Sequence, residues 1–289
     1  MTDKKDISIL IANYNNGHFF KDAFESLQRQ TFKNWEAVII DDCSTDNSVE
    51  LITEMIKGDS RFRFYQNAIN VGYQNTIVRA ISLAKAEIFG RLDPDDTLHP
   101  EAIQHSLEAH RLNPEAGLVY SDWDKFDRNW VFQDHHKSEP VPELNKKYYN
   151  LYGEISPFST FKMEIYNKTS GVDISIRRAE DKDIYMKMCE LAPVVYIPSV
   201  LYNYRHHSGG LSTGDNALKA EFSHWCALVK MLDRRQVNLE DVFSEHIVSR
   251  SVLNKFIRKE KKEKRWLHNN LIGRILASAF RRKTATAHD

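Results

Sequence analysis

The first 125 residues alternate short apolar runs with longer segments in which apolar residues recur every three or four positions. The runs are about five to seven residues long and rich in β-branched residues, as in strands, and the longer segments have the period of a helix. Repetition of this unit is typical of a largely parallel sheet with helices on its faces. The pattern predicts the strands ISILIA, WEAVIID, RFRFYQ, EIFGRLD and GLVYSDW, and the helices HFFKDAFESLQRQ, NSVELITEMIK, the stretch ending at Lys85, and PEAIQHSLEAHRL.

The chain after this repeat is less regular. Residues 126–155 show no clear period and are rich in Asp, His, Lys and Pro, which predicts a connecting or lid region. Further on, the sequence predicts a helix in RRAEDKDIYMKMCEL, a strand in VVYIPSVLYNYR and a loop in HHSGGLSTG. We therefore expect one large α/β domain with an appendage.

Composition restricts the class of protein. A chain of 289 residues with 42% hydrophobic residues can bury a sizeable core. No stretch is long and apolar enough to cross a bilayer, and the N-terminus lacks the pattern of a secretory signal. Three scattered cysteines, Cys43, Cys189 and Cys226, suggest neither a disulfide framework nor a zinc site. These features predict a protein of the reducing cytoplasm.

The net charge of zero conceals a basic tail. Residues 250–283 contain twelve Lys or Arg against two Glu, a net of +10, whereas the residues before them carry a net of −9. Apolar residues at near-helical spacing between these charges indicate an interfacial helix, over 255–283, on an anionic membrane surface, and no nucleic-acid partner. Such a helix would place the protein at the inner face of the cell membrane. A helix packed on the main domain with a solvated basic face also explains the pattern.

Three carboxylates stand within four residues directly after the fourth predicted strand, in Asp93-Pro94-Asp95-Asp96. They cannot all remain ionised at close range without a positive partner. Hard carboxylate oxygens favour Mg²⁺ or Mn²⁺, which proteins commonly share with substrate phosphates. A solvated turn, with Asp96 or Thr97 capping the next helix, explains the same run. The run is therefore a candidate metal site.

Two other strand ends carry groups suited to a nucleotide. Asp42, after the second strand, could accept the N3 hydrogen of a uracil ring or bind a ribose, although a local turn with Asp46 capping the next helix is the simpler account. Tyr14, after the first strand, could stack on a base or pack in the core. Ligands of parallel α/β sheets bind beyond the carboxyl ends of the strands, so both positions are candidate contacts.

Two further clusters lie in the second half of the chain. Glu180-Asp181-Lys182-Asp183 precedes a helical run, and the helix dipole accounts for one or two of these carboxylates. A carboxylate held against an acceptor hydroxyl is also a suitable general base. Tyr204-Arg205-His206-His207, before two glycines, offers cationic or metal-binding groups for a diphosphate, or else is an exposed histidine pair.

Together these segments resemble the family 2 glycosyltransferases of the GT-A fold. The resemblance rests on five motifs in the family's order over residues 6–215, about three quarters of the chain: ISILIANYNNG, QTFKNWEAVIIDDCSTDNS, DPDD, AEDKDIYMKM and YRHHSGGLS. It implies a Rossmann-like, mostly parallel central sheet flanked by helices, in a catalytic domain over 1–215. Residues 1–125 would bind the nucleotide sugar and 126–215 the acceptor, and a helical extension would occupy 216–289.

The resemblance also implies roles for individual residues. Asp181, in the family's ED motif, would be the catalytic base. Asp93, Asp95 and Asp96 would form the metal-binding motif, in which either Asp95 or Asp96 is the direct ligand, and His207 of the YRxH pattern would approach the metal or pyrophosphate. The residues that bind the donor would be Asn13, Tyr14, Asn15, Asp42, Asp93 and Arg205.

The activity that the resemblance implies is transfer of one sugar, with inversion and with Mn²⁺ or Mg²⁺, from a nucleotide sugar such as a UDP-sugar. The acceptor would be a saccharide or a lipid-linked molecule of cell-envelope polysaccharide or lipopolysaccharide synthesis. The QxxRW motif of processive synthases is missing, which favours single transfer. Ala12, Cys43 and Pro94 depart from the family's usual residues without removing a catalytic group, whereas loss of the ARN element leaves the donor contacts of that segment unassigned.

Two alternatives remain for the same pattern of residues. A sugar nucleotidyltransferase would usually carry a glycine-rich phosphate loop with basic residues near the first strand, and IANYNNGHFF has none. A non-catalytic sugar-nucleotide or carbohydrate-binding module would keep the fold without needing a base. A turnover assay separates such a module from an enzyme.

Overall fold

The computed structural model describes residues 4–141, 154–207 and 216–242, together with 258–259 and 261–262. The chain divides into two compact units, Met1–Met231 and Leu232–Asp289. The first unit holds the whole sheet and extends beyond residue 215, where we placed the end of the catalytic domain. In the second unit, the described elements are helical.

The five strands and four helices predicted within the first 125 residues are all present. In chain order the described elements are β1 (Ile7–Asn13), α1 (Phe20–Gln28), β2 (Trp35–Asp41), α2 (Ser48–Met55), β3 (Phe62–Gln66), α3 (Tyr73–Leu83), β4 (Ile88–Arg91), β5 (Thr97–Leu98), α4 (Ala102–Leu112), β6 (Leu118–Asp127), β7 (Phe132–His136), β8 (Thr160–Lys162), α5 (Met163–Tyr166), α6 (Glu180–Cys189), β9 (Val194–His206), α7 (Ala217–Arg235) and α8 (Leu239–Val242).

Among the described residues, the strands form one sheet in the order β3-β2-β1-β4-β8-β6-β9-β5, with β7 paired to β6. The first four strands along the chain are mutually parallel, and β6 and β9 are parallel to each other. β8 is antiparallel to both β4 and β6, so it joins the two parallel parts. The carboxyl ends of β1, β2 and β4 therefore meet at one edge, as expected for a largely parallel sheet.

The core lies on both faces of β1 and β2, in which every residue is buried. Alternate residues point to opposite faces of a strand. Ile9 and Ile39 accordingly pack in one cluster, with α1, and Leu10 and Val38 in the other, with α3. Strands covered on both faces have continuous apolar sequences. Burial of each large apolar side chain contributes about 1.5–3 kcal/mol to the stability of the fold.

Gly17 brings the loop after β1 against the start of α2. Its backbone N–H donates to Ser48 Oγ at 2.8 Å. A Cβ atom on Gly17 would lie 2.4 Å from the Ser48 Cα atom, so no larger residue fits without a shift of backbone. This close approach sets the spacing between the loops that follow β1 and β2.

The prediction of an irregular connection over 126–155 was wrong for its first part. The end of β6 and all of β7 form a hairpin there, with Trp123 paired to His136. Asp127 Oδ1 accepts the backbone N–H groups of Asn129 and Val131 and so closes the turn. Parallel pairing with β9 extends β6 as far as Asp127, and a contact of that range has no local sequence signal.

Candidate active site

A cavity of about 610 Å³ opens beyond the carboxyl ends of β1, β2 and β4. Ligands of open α/β sheets bind at this place, because the loops there deliver polar groups from several strands. Most of the predicted site residues line the cavity together: Asn13, Tyr14, Asn15, Asp42, Asp93, Asp95, Asp96 and Asp181. Arg205 and His207 are not among its lining residues.

The loop after β1 forms one wall of the cavity. Asn15 has a φ of 54° and holds the loop after β2, because its side-chain oxygen accepts the Thr45 N–H at 2.8 Å. Tyr14 is 45% exposed, so it is available to stack on a flat ring rather than packed in the core.

Asn13 lies at the base of this wall and donates to Asp41 Oδ2 at 2.8 Å. Its side-chain oxygen is buried and accepts no hydrogen bond within the described part of the chain. Buried acceptors are normally paired, so this oxygen is suited to a donor on a ligand, such as the N3 hydrogen of a pyrimidine.

Asp42 organises the loop between β3 and α3. Oδ1 accepts the Asn67 side-chain amide at 2.7 Å and the Val71 N–H at 2.9 Å, and Oδ2 accepts the Gly72 N–H at 2.8 Å. An ionised carboxylate has about four acceptor positions. Three of them are used by the protein, so a base or ribose would have to share Asp42 with this loop.

Asp93 and Asp95 face the cavity from the segment that follows β4. Burial, together with the charges of Asp95 and Asp181, raises the pKa of Asp93 to about 6, although the Arg91 cation opposes the rise. Asp95 Oδ2 lies 2.7 Å from His207 Nε2. A cation near these oxygens would relieve their mutual repulsion.

Asp96 differs from its neighbours because both of its oxygens are used by the protein. Oδ1 accepts the Arg205 N–H at 2.7 Å and Oδ2 accepts the Tyr202 hydroxyl at 2.7 Å. Burial, and then the charges of Asp95 and Asp93, raises its pKa well above the usual range. This geometry favours Asp95 over Asp96 as the direct ligand of a metal.

The donor set fits a hard divalent cation that shares its coordination with a ligand. Among the described residues, no three His, Cys, Asp or Glu side chains are grouped closely enough to hold a metal by themselves. Asp95 and His207 nevertheless meet at 2.7 Å, and Asp93 lines the same cavity. Mg²⁺ usually binds to one or two carboxylates plus substrate phosphates, and this arrangement matches that habit.

Glu180 and Asp181 occupy the first turn of α6, where the helix dipole favours negative charge. Ala179, before them, has a φ of 55°, in the left-handed region, and lines the cavity with them. Glu180 is buried, and this burial raises its pKa to about 7, against the lowering effect of Arg91. Asp181 is less buried and is the carboxylate better placed to meet an entering hydroxyl.

Arg91 is a site residue that our sequence reasoning missed. Its Nη1 atom lies 3.3 Å from Glu180 Oε1, and its guanidinium lies 5.3 Å from the ring centre of Tyr73. A signal was present, because a charged residue inside the apolar run IFGRL is unusual unless it is paired. Arg91 also lines the cavity together with Asp93, two residues later.

Arg205 does not contact the cavity, although we expected it to bind the donor. It is 4% exposed, forms an ion pair with Asp22, and stacks 4.0 Å from the ring centre of Trp130. The guanidinium lies on an aromatic face and its Nη2 group is paired with a carboxylate, whereas its buried Nε–H has no hydrogen-bond partner among the described residues. In this structure its partners are therefore protein groups.

Two predicted features lie outside the described residues: the Gly/Ser loop over 208–215 and the basic tail, apart from four residues of 258–262. Among the helices of the described ranges, none has the length and apolar character needed to span a membrane.

Comparison with known proteins shows a family match that covers more than half of the chain. The model described as glycosyl transferase family 2 matches residues 8–170. Chondroitin synthase of Escherichia coli is 29% identical over 206 residues, which cover 71% of this chain. They cover 30% of the synthase, so the chain spans less than a third of that relative's length.

Solved structures with low sequence identity share the fold. Staphylococcus aureus TarS 1–349 in complex with UDP has a TM-score of 0.57 and 18% identity, over 84% of this chain and 75% of that one. The mannosyltransferase PcManGT from Pyrobaculum calidifontis, in complex with GDP-Man and Mn²⁺, has a TM-score of 0.55 and 14% identity, over 89% and 81% of the two chains. These likenesses confirm the predicted α/β fold, with a central sheet flanked by helices as in GT-A glycosyltransferases.

Proposed function

Because this chain belongs to glycosyl transferase family 2, we propose that it transfers a single sugar, with inversion, from a UDP-sugar to an acceptor hydroxyl. One observation carries the proposal. A carboxylate at the start of α6, Asp181, lines the same cavity as the strand-end residues Asn13, Asp42 and Asp93. The cavity thus combines groups suited to a nucleotide with a candidate base.

Donor recognition follows from the two walls of the cavity. The unpaired oxygen of Asn13 and the remaining acceptor position of Asp42 suit the N3 hydrogen of uracil, and Tyr14 is exposed for stacking on the ring. TarS, which shares the fold, has been solved in complex with UDP. The fit of these acceptors to the N3 hydrogen of uracil supports UDP as the nucleotide of the donor.

The pyrophosphate would lie along Asp93 and Asp95, with His207 beside Asp95. We propose that Asp95 and His207, with help from Asp93, hold a divalent cation here. Mn²⁺ is the stronger candidate, because imidazole binds transition metals better than it binds Mg²⁺. PcManGT, which shares the fold, has been solved in complex with Mn²⁺. When bound, the metal supplies positive charge to the departing diphosphate.

Asp181 is the proposed general base. It would accept the proton of the acceptor hydroxyl as that oxygen attacks the anomeric carbon from the side opposite the diphosphate, and this geometry inverts the configuration. Arg91 keeps Glu180 in place through their ion pair, so that the next residue, Asp181, points into the cavity. The acceptor would be a saccharide or a lipid-linked envelope precursor, reached from the side of α6.

Two other functions are less well supported. Membership of the family favours transfer of a sugar over transfer of a nucleotide. A non-catalytic binding module would not need a carboxylate at position 181, whereas the cavity contains one. A turnover measurement decides between an enzyme and such a module.

The test is release of UDP and transfer of sugar from a panel of nucleotide sugars, in Mn²⁺, in Mg²⁺ and in EDTA. We expect one UDP-sugar to be turned over with metal alone, and Asp181→Asn to reduce turnover by about 10²–10⁴-fold while UDP binding persists. Glu190→Gln, which changes an exposed carboxylate just beyond α6, is the matched control and should be normal. Normal turnover by Asp181→Asn would remove Asp181 from the mechanism.

A further inference from the structure

A cluster of charged and aromatic side chains lies next to the cavity but outside it. At its centre is the buried guanidinium of Arg205, which forms an ion pair with Asp22 of α1. The ring centres of Trp130 and Phe19 lie 4.0 and 4.9 Å from this guanidinium. The indole N–H of Trp130 donates to Asp22 Oδ2 at 3.1 Å, which closes the cluster. The three chain segments are therefore joined through one cation.

Trp130 adopts a backbone conformation that a bulky residue rarely takes. Its φ is 62°, in the left-handed region, where a side chain is crowded by the following carbonyl. The turn between β6 and β7 holds this conformation while the indole reaches Arg205 and Asp22. Strain of this kind persists only where surrounding contacts determine it. The turn closes through the Trp130 N–H to the Asp127 carbonyl and the Asp127 N–H to the Val131 carbonyl, a three-residue hairpin loop that places its last residue in this region, and from there the indole reaches Arg205.

The cluster is connected to the proposed metal-binding residues by three links. The backbone N–H of Arg205 donates to Asp96 Oδ1 at 2.7 Å, directly beside Asp95. Two residues after Arg205, His207 reaches Asp95 at 2.7 Å. The ring of Phe19, which packs on the Arg205 guanidinium, also lies 4.9 Å from the His207 ring. The end of β9, directly before His207, is therefore held by Asp96 through a backbone hydrogen bond and by Phe19 through ring packing.

We propose that Asp22 and Trp130 are positioning residues, which fix Arg205 and thereby place the His207 ring against Asp95. Nothing in the sequence motifs assigns a role to either residue. The inference rests on the proposed function for its metal readout, although the placement of the ring itself does not depend on it. Groups that orient a metal ligand act in this way, since a ligand binds tightly only when its geometry is prepared.

The test compares Asp22→Asn and Trp130→Phe with a matched control. Trp130→Phe keeps an aromatic ring over Arg205 but removes the N–H donor, and Asp22→Asn removes the charge. The control is Asp59→Asn: Asp59 pairs with Arg61 at 2.6 Å, and Arg61 stacks 4.1 Å from the ring centre of Trp35. These residues form the same kind of cluster, but their side-chain contacts go to Gln28 and Trp35 and not to Asp95, Asp96 or His207.

Two signals are measured on the folded, full-length proteins. Binding of Mn²⁺ in the presence of UDP, followed by the electron paramagnetic resonance of free Mn²⁺, should weaken about 10- to 100-fold in the two variants and not in the control. The ¹⁵N resonances of the His207 ring, assigned by their loss in His207→Gln, should move in the two variants without any metal. A purely structural cluster would lower the melting temperature and leave both signals unchanged.

The outcomes separate this inference from the proposed function. Unchanged Mn²⁺ binding and an unchanged His207 resonance in both variants overturn the inference, whatever the activity. Mn²⁺ binding by the wild-type protein without sugar transfer overturns the proposed function and leaves the variants to decide the inference. If the wild-type protein binds no Mn²⁺, the His207 resonance alone decides. If Asp22→Asn does not fold, Trp130→Phe carries the comparison.

Discussion

Half-buried Arg91 and buried Glu180 form an ion pair, with 3.3 Å between Nη1 and Oε1, that joins the last residue of β4 to the first residue of α6. Asp93 lies two residues after Arg91, and Asp181 directly follows Glu180. The pair therefore sets the distance between Asp93, which is proposed to bind the sugar donor, and Asp181, the proposed general base. Removing one partner would leave the other as an uncompensated buried charge.

Arg91→Met should destabilise the protein by about 3–5 kcal/mol and abolish binding of UDP with Mn²⁺, because Glu180 and Asp93 lose their common cation. Urea unfolding and calorimetric titration measure the two effects. Arg63→Met is the control, since Arg63 pairs with buried Glu36 at 2.8 Å outside the cavity. It should lower stability while its folded fraction still binds UDP. Wild-type binding by Arg91→Met would contradict this account of the pair.

The contribution of Asp93 and Glu180 to the stability of the metal-free protein should fall as pH rises from about 4.5 to 7, against an opposite contribution from His110, whose pKa burial lowers to about 4. Burial raises the pKa of Asp93 to about 6 and that of Glu180 to about 7, from ordinary values of 3.8 and 4.5. In this interval the folded state holds protons that the unfolded state has released. By linkage, the contribution of each carboxyl to stability is fully present below its unfolded pKa and is lost as pH rises through its folded pKa.

Urea unfolding between pH 4 and pH 8 tests this titration. Glu180→Gln, which cannot ionise, should reduce the fall in stability over the upper part of the interval. Glu190→Gln, an exposed change, should follow the wild-type curve. Parallel curves for the wild-type protein and Glu180→Gln would show that Glu180 does not titrate in this range.

Asp42→Asn should weaken both the fold and UDP binding. The new amide would present N–H groups where a carboxylate oxygen now accepts a backbone N–H from Val71 or Gly72. Leaving such a group unpaired costs about 1–3 kcal/mol, and the loop beside the proposed nucleobase site would move. Thermal unfolding and UDP titration measure the two losses.

Asp46→Asn is the corresponding control in the neighbouring loop. Asp46 is exposed, and its Oδ1 atom accepts the Ser48 N–H at 3.0 Å, a bond that an amide oxygen can keep. This variant should behave as the wild-type protein does. If the two substitutions had equal effects, the buried hydrogen bonds of Asp42 would not account for the losses of stability and of UDP binding.

The basic tail gives a prediction independent of the cavity. We propose that residues 255–283 bind an anionic membrane surface, because residues 250–283 contain twelve Lys or Arg together with apolar residues at near-helical spacing. A protein truncated after Asn254 should no longer sediment with anionic vesicles. Neither the full-length nor the truncated protein should bind neutral vesicles. Retained binding by the shortened protein would reject the membrane role of the tail and favour a helix packed on the protein.

Local pattern was enough to predict the alternation of strands and helices through residue 125. The apolar period is written into each segment, and β1 and β2 are buried along their whole length. The same pattern also predicted that polar residues would gather at the carboxyl ends of the strands. The cavity contains Asn13, Asp42 and Asp93 because parallel strands end at one edge. Their roles in binding and catalysis remain predictions.

Only the tertiary structure decided which charged groups face the cavity and which face the protein. Asp95 and Asp96 are adjacent in sequence, yet Asp96 accepts two protein hydrogen bonds because β5 pairs with β9 and so brings Tyr202 and Arg205 beside it. Pairing between strands separated by about a hundred residues leaves no trace in either segment alone.

The same long-range packing determined the partners of the two arginines. Arg205 is withdrawn from the cavity by Asp22 and Trp130, whereas Arg91, which has no motif of its own, is paired with Glu180. Sequence alone determined the elements of this protein and the edge at which its polar residues gather, since both follow from local periodicity. The partner of each buried charge was decided by packing, because the energy of an ion depends on the groups that surround it in space.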